Sequence, residues 1–116
     1  MGVIAFSDKP EECWLAAGWA FRQILDDTAS EYPEDSEMAS EFEVAKAITG
    51  LQVRSLRPDL RARVTARMTA VAKGILSGSI RSGIVDKPYG DDATIAEYRK
   101  GLLQLLEAIP PQAASG

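Results

Sequence analysis

Arginines at positions 57, 61, 63 and 67 fall within the twelve residues RPDLRARVTARM. Two chemistries suit such a set: guanidinium groups bind phosphate oxygens with release of counterions, or they pair with carboxylates through planar, forked hydrogen bonds. Carboxylates for the second are at hand. Between Arg22 and Lys46 stand eight acidic side chains and no cation. On a helical wheel Leu60, Val64, Met68, Val71 and Ile75 form one stripe, which Arg61 and Arg67 bracket, with Arg63 a little further round. The far face carries Ala62, Ala66, Thr69 and Ala70. A recognition helix turns its cations together toward a groove, away from the face that holds it to its domain. Here they flank the seam, where their methylenes cover apolar neighbours. Arg57, Arg61 and Arg63 are the alternative basic surface for a nucleic acid, a reading that the net charge of −4 disfavours.

Asp26, Asp27, Glu31, Glu34, Asp35 and Glu37 form an expected acidic docking surface for a basic protein partner. Part of this run also suits the first turn of a helix, where the dipole favours negative charge. Its spacing matches no calcium loop with a central glycine, and no metal is expected. Glu41 shares the arc of Val44, Ala45 and Ile48 and is expected to face Arg61 or Arg67.

Catalytic chemistry has little to work with. The chain has no histidine, which excludes imidazole-based triads and His-containing metal sites. Cys13 reads as a core thiol on an apolar face. The glycines from Gly78 to Gly83 lack the Gly-Lys-Ser or Gly-Lys-Thr ending of a phosphate loop. Neither an enzyme nor a cofactor is expected. Leu15 and Trp19, four apart and off the main apolar face, are an expected contact for another element or for a second copy in a homodimer.

Four helices are expected to position these groups. The first runs from Pro10 to Ala29, with Cys13, Trp14, Ala17, Phe21, Ile24, Leu25 and Thr28 inward. The second runs from Glu34 to Thr49, with Met38, Phe42, Ala45 and Ile48 inward and Gly50 as its stop. The third starts at Pro58 and ends before the glycines and serines from Ser77 on. The fourth starts at Asp91 or Asp92 and stops at Pro110-Pro111, with Gly101 an unfavourable interior residue. VIAF (3–6) and SIRSGIV (79–85) have room to pair as a two-stranded ribbon. Residues 77–91 form a long connection of the kind that carries function or motion.

The expected fold is therefore an all-α, single-domain bundle of about four helices over residues 1–109, with residues 110–116 a flexible tail. The 116 residues suffice for one core without staples. Residues 1–50 hold three basic side chains against eleven acidic, and residues 51–116 hold ten against six. The halves should attract. The single cysteine, a start without a basic leader and the lack of a long apolar run point to a cytoplasmic protein without a membrane span. The function this supports is a non-catalytic interaction module, such as a small acidic inhibitor of immunity or antitoxin type.

Overall fold

The protein, seen in a computed structural model that describes residues 1–111, is an α+β fold and not the expected all-α bundle. Its four helices pack against a three-stranded mixed sheet. Strand β1 (Gly2–Ala5) lies in the centre, antiparallel to β2 (Cys13–Ala16) and parallel to β3 (Gly50–Gln52). Gly2 faces Ala16 and Ala5 faces Cys13 on one side, while Val3 faces Gly50 and Ala5 faces Gln52 on the other.

The sheet replaces the first part of the expected first helix. Pro10–Glu12 make one 3-10 turn, and the chain then extends because β1 offers it a row of backbone partners. Phe6 N–H donating to Glu12 C=O at 2.9 Å closes this hairpin. In β2 the strand alternation sends Trp14 into the core and Leu15 outward. Helix α1 begins only at Gly18 and runs to Glu31. The ribbon expected between residues 3–6 and 79–85 does not form: residues 83–86 make a 3-10 turn, and β1 takes its partners from β2 and β3.

The other helices lie close to their expected spans. Helix α2 (Ser36–Ile48) is capped by Asp35, whose side chain accepts the Met38 N–H at 3.0 Å. It ends with Thr49 in the left-handed region (φ 54°), and Gly50, the expected stop, opens β3 instead. Helix α3 (Pro58–Ser77) has proline in its first turn and Gly78 (φ 87°) after its last, the positions those residues favour. Helix α4 (Asp92–Ala108) is capped by Asp91, which accepts the Thr94 N–H at 2.8 Å.

One contiguous core joins the layers. Phe21, Ile24 and Leu25 of α1, Met38 and Phe42 of α2, the stripe Leu60, Val64, Met68, Val71 and Ile75 of α3, and Tyr98, Leu102 and Leu105 of α4 meet Ile4, Trp14 and Leu51 of the sheet. Ile48 is not part of it, being 68% exposed. Cys13 is half-buried on β2, not sealed in the core. The Trp14 indole donates to the Gly101 carbonyl at 3.0 Å and ties β2 to α4. Gly101 does not need to be glycine there, since an added Cβ would lie 3.6 Å from the Trp14 ring, an ordinary contact. Gly101→Ala is therefore expected to raise the unfolding free energy by about 0.5–1 kcal/mol in urea titrations, through the lower backbone entropy of alanine in a helix; a loss of stability would contradict this packing. The expected tail begins with Pro110 and Pro111, and its remainder, 112–116, lies outside the described residues.

Candidate functional site

The opposed charges of α2 and α3 find one another. Asp35, with a side chain 9% exposed, accepts from Arg63 Nε at 2.8 Å and from Arg67. Arg67 also lies 4.4 Å over the Tyr32 ring. Glu37 accepts from Arg63 Nη2 at 2.7 Å and from Arg57, which bridges on to Asp59 at 3.1 Å. One helix cap thus anchors a clasp across both helices.

The clasp shifts its carboxyls in one direction. The Met38 N–H first, and then Arg63 and Arg67, hold Asp35 below its ordinary value of 3.8 against the opposing effect of desolvation. Arg57 and then Arg63 lower Glu37, and Arg57 brings Asp59 down to about 2. A depressed carboxyl contributes stability that is complete above its unfolded pKa and disappears as pH falls through the folded one. Stability should accordingly decline from about pH 4 toward pH 2. Asp35→Ala is expected to cost about 1–2 kcal/mol at pH 7 by loss of the cap, and the gap to the wild type should narrow over that acid range. A gap that stays constant to pH 2 would show that the clasp does not act through ionised Asp35.

Asp27 is not a surface acid. It is 5% exposed, and both oxygens are fully engaged. Gln23 Nε2 and the Gly83 N–H donate to Oδ1, each at 2.9 Å, while Tyr98 OH at 2.8 Å and Ser82 Oγ at 2.5 Å donate to Oδ2. Ser82 in turn accepts the Ile84 N–H at 3.1 Å. The long connection between α3 and α4 is latched to α1 by this group.

Of the expected acidic surface, Asp26 is paired with Lys46 at 2.9 Å, and Asp27, Asp35 and Glu37 are engaged as above. Glu31 and Glu34 are exposed and have no charged partner among the described residues. Of the alternative basic surface, Arg57 and Arg63 are committed to carboxylates, while Arg61 donates to the Arg54 carbonyl at 3.2 Å. Glu41 meets neither Arg61 nor Arg67. It is half-buried at the rim of a groove of about 370 Å³ with Val44, Ile48 and Leu56.

Leu15 and Trp19 do come together, though not as neighbours on one helix. Leu15 projects from edge strand β2 and is 59% exposed. Trp19 sits in the first turn of α1, and both line a cleft of about 210 Å³ with Glu97 and Lys100 of α4. Trp19 also forms the wall of a second cleft of about 490 Å³, with Tyr89, Ala93, Thr94 and Glu97. Trp19 and Tyr89 meet edge-on at 6.4 Å and 68°, and buried Tyr98 backs Trp19 at 6.2 Å. Tyr89 and Glu97 escape sequence reasoning because the first lies in an irregular connection and the second is an ordinary polar residue on the outside of α4. The one available signal is an aromatic side chain inside the otherwise polar DKPYGDD.

Among the described residues, no helix is long and apolar enough to cross a membrane, and no cluster of three or more His, Cys, Asp or Glu side chains is placed to hold a metal ion. Comparison with family models, curated proteins and solved structures finds no match to the chain.

Proposed function

We propose that the chain is a non-catalytic protein-interaction module that docks on a basic partner through the face formed by Leu15, Trp19 and Tyr89. The observation that carries this reading is the juxtaposition of two adjoining clefts with exposed large apolar groups, Leu15 at 59% and Tyr89 at 47% exposure, on one side of the molecule. Aromatic and aliphatic side chains in such a setting are the usual anchors of interfaces. The net charge of −4 favours a cationic partner at long range. Glu97, which lines both clefts and is free of internal ion pairs among the described residues, supplies the short-range part, while Glu31 and Glu34, at the other end of α1, add to the long-range field. A small inhibitor of immunity or antitoxin type is a role that this chemistry fits.

Nucleic-acid binding through Arg57, Arg61 and Arg63 draws less support, because two of the three would have to exchange carboxylates for phosphates. A homodimer through the same face is a distinct outcome of the same experiment. Partners captured by the wild type should be lost with Leu15→Glu and kept with Val44→Glu, a control at a separate exposed position. Light scattering on the purified wild type tells a second copy from a different protein. Equal capture by wild type and Leu15→Glu, both folded by circular dichroism, would reject the assigned face.

A further inference from the structure

We infer that the cleft between Trp19 and Tyr89 receives a cationic side chain, the lysine or arginine of a basic protein partner, with Glu97 as its counter-ion. The identity of the donor rests on the docking face proposed above; the chemistry of the cleft stands by itself.

Two aromatic planes inclined at 68°, with centroids 6.4 Å apart, form adjoining walls. The two rings touch edge to face, so a cation does not enter between them; it rests in the cleft that both line, against the ring face that the edge contact leaves open and within the about 6 Å at which a negative π face attracts it. Trp19 is held in place from behind by Tyr98, whose hydroxyl is fixed on Asp27 at 2.8 Å. This wall is preorganised.

Glu97 supplies the sign. It lines the same cleft, and among the described residues no Lys or Arg comes within ion-pair distance of it. Of its charged neighbours along α4, Arg99 donates to the Ile75 and Leu76 carbonyls at 3.1 and 2.8 Å, and Lys100 shares the adjoining cleft with Glu97 without forming an ion pair with it. A neutral apolar occupant would strip water from Glu97 and return nothing. An anion would meet both a carboxylate and the π faces. A long side chain with a charged tip satisfies all of the lining, its methylenes lying on Ala93 and the ring edges.

The probes are N-acetyl-arginine amide, N-acetyl-lysine amide and the uncharged N-acetyl-citrulline amide, titrated into the full chain while the Trp19 indole and Tyr89 ring resonances are followed by NMR. Both cations should give saturable shifts at those rings, with citrulline at least about fivefold weaker. Glu97→Gln should weaken the cations about three- to fivefold and leave citrulline unchanged. Tyr89→Ala, at an exposed position, should abolish saturation without loss of fold. Absence of saturable binding, equal binding of citrulline, or indifference to Glu97→Gln would each overturn the inference. If the probes fail while Leu15→Glu still loses the partner, the docking face survives without a cation pocket. If the probes bind while Leu15→Glu keeps the partner, the pocket survives without that face.

Discussion

Asp27→Ala is expected to lower the unfolding free energy by about 3–5 kcal/mol, enough to erase much of the stability of a domain this size. The substitution leaves a cavity and removes the acceptor for the Gln23 amide, the Ser82 and Tyr98 hydroxyls and the Gly83 N–H. Each donor stranded without water or protein costs about 1–3 kcal/mol, and only partial hydration of the site keeps the total from reaching their sum. Tyr98→Phe removes a single donor and leaves the carboxylate three others, so its cost should be about 1–2 kcal/mol. The pair together should be markedly less than additive, since they share one network. Urea unfolding of the two single variants and the double variant measures this, and a loss below about 1 kcal/mol for Asp27→Ala would mean that water replaces the carboxylate freely. The same network gives an alkaline signature. Burial, and then the adjacent carboxylate, push the Tyr98 phenol far above its ordinary value of 10. The unfolded chain therefore loses that proton first, and stability contributed below pH 10 should be lost as pH rises beyond it. Tyr98→Phe should remove this component of the alkaline slope.

Trp14→Ala is expected to cost about 3–5 kcal/mol as well, by the mechanism of a truncated core aromatic. Trp14 is 2% exposed, and its hydrogen bond to Gly101 is a direct polar tie between the sheet and α4. Trp14→Phe separates the two contributions, for it keeps most of the apolar volume and loses the indole donor. It should cost less than half as much as the alanine change. Trp14 and Leu15 point to opposite sides of β2, so the phenylalanine variant, while folded, should keep the Leu15 face able to engage whatever the wild type engages. Loss of that engagement in a stable Trp14→Phe protein would show that the face depends on the exact seat of α4.

How these residues divide between local and distant causes explains what could be read from the chain. Three helices are legible because each carries its own evidence: the spacing of Met38, Phe42 and Ala45 in α2; the four- and three-residue spacing of Leu60, Val64, Met68, Val71 and Ile75 in α3, with the proline at 58 and the glycine at 78; and the cap at Asp91 in α4. The first segment departs from the expected helix because Cys13–Ala16 has the same apolar character in a helix and in a strand. Four residues are too few to display alternation. Its partners, Gly2–Ala5, are themselves paired with Gly50–Gln52 from the far side of two helices.

The site divided in the same way. Leu15 and Trp19 stand out in the sequence because neither fits the apolar face of the expected first helix, and the structure keeps them together by a different geometry. Glu97 carries no local mark, Tyr89 carries only its ring inside the otherwise polar DKPYGDD, and Asp27 looks identical in sequence to its neighbour Asp26. One of these two acids faces Lys46 at the surface and the other faces inward to Tyr98, because adjacent positions on a helix are turned by about 100°. Amphipathic periods, caps and stops act through bonds within a turn or two, and from them the amino-acid sequence by itself determined α2, α3 and α4, though not where α1 begins. Which carboxylates meet arginines, which one is buried and which strands pair rest on groups brought close only by folding, and tertiary structure alone decided those.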